Sequence, residues 1–233
     1  MYPHGTIYEA GKRSTSGEVN LRPTLIKKIG FHLLRGFGAG VVAFAIVGII
    51  FSFYPIVKEE LIYRFGKKDQ IAINYFGSLL ANTQASDFGI DPYFSIYVPK
   101  INAKSKIIPN VDPGNAQEYL KALTQGVAHA KGTNFPGQRK EIYLFSHSTD
   151  SPLNFARYNA VFYLLGKLQK GDKIVISFMD KIYIYQVTDK VITSADDTSW
   201  LKDDGNGEKL VLQTCDPPGT SWRRLLIIAK PVK

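Results

Sequence analysis

The strongest constraint on this chain is a run of 22 residues without a charge, Gly36 to Val57, reading GFGAGVVAFAIVGIIFSFYPIV. Wound as a helix at about 1.5 Å per residue it spans about 33 Å, enough to cross a hydrocarbon layer about 30 Å thick. A core helix of a soluble protein seldom runs so far without a polar face, so the segment reads as a membrane span. It ends in Phe51, Phe53, Tyr54 and Pro55 rather than in the small residues a signal-peptide cleavage site requires, and is expected to stay attached. Lys12, Arg13, Arg22, Lys27, Lys28 and Arg35 precede it. Lys58, Arg64, Lys67 and Lys68 follow it, diluted by Glu59, Glu60 and Asp69. The positive-inside rule therefore predicts a single-pass protein of the cell membrane, with a cytoplasmic N-terminus and the bulk of the chain outside.

Four segments follow from that span. Residues 1–35 mix Gly, Ser, Thr, Arg and Lys without sustained period and read as a cytoplasmic tail. Residues 36–57 form the span, and its partner is the lipid bilayer. Residues 58–93 carry Leu61, Ile62, Phe65, Ile71, Leu79 and Leu80 among charges and read as a partly helical extracellular stalk. Residues 94–233 form the globular domain.

That last segment is built of short β-rich runs punctuated by Gly and Pro. The predicted strands are Phe94–Val98, Lys104–Ile108, Gly126–His129, Glu141–Phe145, Lys173–Phe178, Lys181–Val187, Lys209–Thr214 and Arg224–Ala229. Met179–Asp180 reads as a tight hairpin turn. Asn115–Leu123 and Asn154–Leu168 have apolar residues at helical spacing. Eight short strands with two helical insertions predict a mainly β fold, a closed or nearly closed antiparallel barrel.

Charge and cysteine usage narrow the chemistry. Lys and Arg number 29 against 20 Asp and Glu, a net +9. The basic residues are scattered rather than gathered on one stripe, and those beside the span suit lipid headgroups, so nucleic acid is not an expected partner. One cysteine, Cys215, excludes an intramolecular disulfide and any Cys-rich metal site; no metal constellation or cofactor is expected.

Cys215 closes the strand EKLVLQTC and opens the loop Asp216 to Trp222. A strand, a short loop and a second strand bring Cys215 close to Arg224 at one end of an antiparallel pair. A cation beside a thiol favours the thiolate, which is the nucleophile. The alternative reading of Cys215 is a small buried hydrophobe. Of four histidines, His4 and His32 fall on the other side of the bilayer from Cys215. His147 ends an apolar run and opens a polar loop, where a general acid or base is usually displayed. His129 lies within a β-run and reads as a hydrogen-bonded structural histidine, with a catalytic role as the alternative.

Five stretches now identify a resemblance: IYVPKI (96–101), GVAHAKGTNFPG (126–137), YLFSHS (143–148), NFARYNAVFYLLGKLQKGDKI (154–174) and LVLQTCDPPGTSWRRLLI (211–227). In that order and spacing the region 94–233 resembles the sortases, the membrane-anchored cysteine transpeptidases of bacterial surfaces. The resemblance implies an eight-stranded sortase-type β-barrel and a catalytic set of Cys215, His147 and Arg224, with Arg223 as the second candidate for the arginine. Three departures from the family's common pattern bear on subclass: Val211 where Thr is frequent, Ser146-His147-Ser148 where Gly-His-Arg is frequent, and Pro217-Pro218 in the loop. Asp91-Pro92-Tyr93 is similar to the lid tripeptide of pilin-assembling sortases, but it directly precedes the first strand and reads as a turn.

The resemblance further implies a reaction. Cys215 attacks a sorting-signal peptide of a secreted surface protein, forming a thioacyl-enzyme. His147 protonates the leaving amine and then accepts a proton from the incoming amine, supplied by the cell envelope or a pilin. Arg224 binds the substrate backbone or the oxyanion. Residues 188–207 are expected to form part of the peptide groove, with Asp196-Asp197 a solvated turn within it. Two other readings stand beside this one: a cysteine protease that releases its acyl-enzyme to water, and a non-catalytic tethered binding domain.

Overall fold

Alternation along the strands sorts the side chains of the globular region into two layers. The computed structural model describes residues 25–65, 84–148 and 161–232. Its strands are β1 (Phe94–Val98), β2 (Ala103–Val111), β3 (Val127–Ala130), β4 (Glu141–Phe145), β5 (Lys173–Phe178), β6 (Lys181–Ser194), β7 (Lys209–Asp216) and β8 (Arg223–Pro231). They close into a barrel in the order β1-β2-β3-β4-β7-β8-β6-β5. Ile142 and Leu144 of β4, Leu210 and Leu212 of β7, and Leu225 and Ile227 of β8 belong to the main core, with Phe162, Leu165 and Leu168 buried among them. Their alternates, Tyr143, Phe145, Val211 and Leu226, form a second cluster. Full burial of each large apolar side chain stabilises the fold by about 1.5–3 kcal/mol.

The eight strands stand where the sequence predicts them, but the barrel is not wholly antiparallel. β2 pairs with β3 in parallel, and β4 with β7 likewise. A parallel neighbour requires a crossover. Between β2 and β3 that crossover carries the helix α2 (Ala116–Leu123), whose N-cap Asn115 accepts the Glu118 N–H at 3.3 Å. β4 reaches β7 only after the β5–β6 hairpin has paired elsewhere in the barrel. In that hairpin Met179 and Asp180 both take positive φ, 51° and 62°, as a two-residue turn with matching twist requires.

Two further expectations change. The helical spacing predicted over Asn154–Leu168 falls partly outside the described residues. From 161 on the chain forms turns and a short 3₁₀ helix, Leu165–Lys167. Its apolar residues are spaced to fill the core from an irregular segment. β6 runs to Ser194 rather than Val187, because its far half keeps pairing with β8 as far as Ser194 and Arg223.

Ahead of the barrel lies α1 (Leu25–Phe65), 41 residues long. Within it residues 29–54 are long and apolar enough to cross a membrane. The helix thus extends past both ends of the 36–57 run. The chain divides into two compact units, residues 1–51 and 52–233. Within the second unit, Glu60 accepts a hydrogen bond from Lys167 at 3.3 Å. The N-terminal tail to residue 24 and the stalk residues 66–83 lie outside the described residues. Asp91-Pro92-Tyr93 forms a bend held to the barrel: Asp91 accepts the Tyr93 N–H at 2.8 Å, and the Pro92 carbonyl accepts the Ser177 hydroxyl at 2.9 Å.

Candidate active site

Register places the thiol. On β7 and β8 Cys215 stands directly opposite Arg224, and Nη1 of Arg224 lies 3.8 Å from Sγ. The same Nη1 donates to the carbonyls of Ser221 at 3.2 Å and Arg223 at 3.3 Å, so the β7–β8 loop holds the guanidinium in place. Arg223, the other candidate, pairs instead with Asp216 at 2.8 Å and is 53% exposed. Strand alternation decides between the two arginines, since adjacent residues face opposite ways.

The histidine arrives on the neighbouring strand. β4 ends at Phe145, opposite Gln213 of β7. The Ser146 N–H then donates to the Gln213 carbonyl at 3.1 Å, and the Thr214 hydroxyl donates to the Ser146 carbonyl at 3.0 Å. These two bonds tie the chain to β7 for one residue beyond the strand. His147 follows at once and, with Cys215 and Arg224, lines a cavity of about 670 Å³. The structure therefore brings together all three residues singled out from the sequence.

His129 is elsewhere and fully engaged. It is wholly buried in β3, where Nδ1 accepts the Asn110 N–H at 3.2 Å and Nε2 lies 3.0 Å from the Asn134 carbonyl. An Nδ1 that accepts and an Nε2 that donates define the neutral ring protonated on Nε2. Burial holds its pKa below the ordinary histidine value, against the opposing bond to Asn134. Phe94 and Phe135 pack against it, with ring centroids 5.9 and 4.5 Å away. This is the hydrogen-bonded structural histidine.

The β6–β7 connection reaches the cavity through one residue. Residues 188–194 are strand, and of the following segment Leu201 lines the cavity. Asp196 and Asp197 stand in a turn that the Asp197 N–H closes on the Ser194 carbonyl at 3.3 Å, and the Asp197 side chain also organises the segment that follows. Its carboxylate accepts the Ser199 hydroxyl and N–H at 2.5 and 3.1 Å, the Thr193 hydroxyl at 2.6 Å and the Trp200 indole N–H at 3.0 Å. These bonds, Ser199 foremost, hold its pKa down to about 2. Asp196 is exposed.

Sequence reading missed Tyr143, Gln213 and Trp222, which also line the cavity. The period-2 rule offered a signal for Gln213, which shares a face with Cys215 two residues on. Trp222 is 74% exposed at the loop, a position no pattern marks. Among the described residues no three His, Cys, Asp or Glu side chains gather as a metal site.

The closed barrel thus sets one thiol against a guanidinium, and an imidazole lines the same cavity. Residues 96–232 match the Sortase domain, and the chain belongs to that family. It is 29% identical over 138 residues to Sortase D of Bacillus subtilis (strain 168), covering 58% of this chain and 61% of that protein. The chain thus spans under two thirds of the length of that relative. The barrel is similar to the crystal structure of sortase C-1 from Actinomyces oris, with a TM-score of 0.51 and 29% identity over 62% of this chain and 74% of that one. Its fold is also similar to a Clostridium perfringens Sortase D5 transpeptidase, with a TM-score of 0.50 and 22% identity over 75% of this chain and 95% of that one.

Proposed function

We propose that this chain is a membrane-anchored sortase transpeptidase with Cys215 as nucleophile, His147 as general acid and base, and Arg224 as the oxyanion or substrate-backbone donor. The observation that carries the reading is the opposition of Cys215 and Arg224 across β7 and β8, 3.8 Å from sulfur to nitrogen, at a cavity that His147 also lines. A cation at that distance favours the thiolate. Its planar fork also suits a developing oxyanion.

In this reading a sorting-signal peptide docks in extended form and Cys215 Sγ attacks its scissile carbonyl. The C–N bond breaks, His147 protonates the departing amine, and a thioester remains on Cys215. His147 then takes a proton from an incoming amine of the cell envelope or a pilin, and that nitrogen displaces the sulfur. Residues 36–57 cross the bilayer, residues 1–35 stay in the cytoplasm, and the 58–93 stalk carries the 94–233 catalytic domain outside.

The test is the intact mass of the full-length protein in detergent micelles after exposure to Leu-Pro-x-Thr-Gly-type peptides, with and without an added amine. An adduct equal to the acyl fragment, absent in Cys215→Ala and converted to ligated product by the amine, is the expected outcome. An adduct that yields only hydrolysed peptide would make the chain a protease. Binding with no adduct would leave a tethered binding domain.

A further inference from the structure

The cavity lining includes a polar pair to which the proposed chemistry assigns no role. On β7 the buried core residues Leu210 and Leu212 face one way, and Val211 faces the other with Tyr143 and Phe145 of β4. Gln213 and Cys215 continue the Val211 face by the period of two, about 6.6 Å apart along the strand. Gln213 lines the cavity beside Cys215 and is half-buried. Tyr143, buried at 2% exposure, donates its hydroxyl to Gln213 Oε1 at 2.5 Å. Burial keeps that phenol protonated far above neutral pH, so it acts as a donor throughout. The bond fixes the carboxamide, with its oxygen turned to Tyr143 and its two Nε2 hydrogens left for the cavity. Among the described residues, no hydrogen bond engages that Nε2.

We infer that Gln213 is a substrate-positioning and specificity-determining residue, oriented by Tyr143, whose Nε2 donates to a carbonyl oxygen of the bound peptide two residues from the scissile bond. An extended peptide laid along β7 repeats every two residues over the same distance that separates Gln213 from Cys215. With its scissile carbonyl at Sγ, such a peptide sets the main-chain carbonyl of the residue two positions before the scissile one over the Gln213 amide. A donor held in this way discriminates against peptides whose backbone does not bring that carbonyl to it, because the amide is then left unpaired in a partly desolvated groove.

This inference rests on the transpeptidase reading, and its test separates the two. The Gln213→Met variant keeps length and neutrality but removes the donor. On the Cys215→Ala background, in full-length protein, peptide affinity reads the groove without chemistry. Here Gln213→Met is expected to weaken binding of Leu-Pro-x-Thr-Gly-type peptides about tenfold. In the Cys215 protein the same change raises KM with little loss of kcat, and alkylation of Cys215 by iodoacetamide keeps its rate. Tyr143→Phe shifts KM in the same direction by less, and adds nothing once Gln213 is Met. The loss is expected to be equal for every residue at x, because the residue two positions before the scissile threonine is proline and only its main-chain carbonyl can accept; a loss confined to Asn, Gln, Asp or Glu at x overturns this placement. Unchanged affinity and KM in Gln213→Met overturn the inference. An adduct missing from the wild type, with Gln213-dependent binding intact, overturns the transpeptidase reading alone.

Discussion

Arg224 Nη1 lies 3.8 Å from Cys215 Sγ because the two residues are register partners, while the adjacent Arg223 is turned to Asp216 at 2.8 Å. Neighbouring arginines are thereby given different tasks by alternation alone. Arg224→Lys keeps the charge but not the fork, and should lower kcat/KM for acyl-enzyme formation about 10²–10³-fold. Arg223→Ala should stay within severalfold of wild type. Peptide turnover by the two variants, each checked for folding, measures the contrast.

The two barrel histidines should separate in the same way. His147→Ala is expected to abolish thioester formation with the unfolding midpoint nearly unchanged. His129→Ala should instead cost about 2–4 kcal/mol of stability, since it opens a void and strands the Asn110 N–H. Denaturant midpoints beside adduct yields show which histidine serves the fold.

Acid should find His129 first. Its folded pKa is lowered, with burial as the leading cause, so the unfolded chain takes up the proton more readily. The stability it contributes is full above the unfolded value of about 6.5 and is lost as pH falls through that value toward the folded one. Between pH 7.5 and 5.5 the wild type should lose more stability than His129→Gln. Equal losses in paired denaturation curves would rule this out.

Thr214 is the clasp between β4 and β7. Thr214→Val removes the hydroxyl that reaches the Ser146 carbonyl at 3.0 Å, at a cost of about 1 kcal/mol. Because His147 follows Ser146, the larger effect should fall on kcat, by about tenfold or more. A variant that loses stability but keeps kcat would show that the clasp does not place the imidazole.

Asp197 should act through Leu201. Asp197→Ala releases four hydrogen bonds that shape the segment from which Leu201 lines the cavity. KM should rise severalfold with the iodoacetamide rate of Cys215 unchanged. Peptide kinetics and thiol alkylation, run on one sample, read both quantities.

Much of this was legible in the linear chain. The charge-free run marks the apolar helix, since length and composition alone decide whether a segment suits a bilayer. Strand positions follow from period-two runs, and Met179–Asp180 from the turn between two of them. Cys215 and Arg224 could be paired from sequence because a short loop between adjacent strands leaves few registers. His147 was legible only jointly with them, as a strand-end histidine in a chain with one thiol.

What the tertiary structure decided is long-range. The parallel β4–β7 pairing joins residues about 70 positions apart, and no local pattern encodes it. From that pairing come the clasp of Thr214 on Ser146, the delivery of His147 to the cavity and the Tyr143–Gln213 bond. His129 was settled by burial and by partners on β2 and the 131–140 loop, which a sequence cannot rank. Hydrophobic period and turn chemistry act over a few residues, so the sequence by itself determined the elements. The closing of the barrel decided which side chains meet.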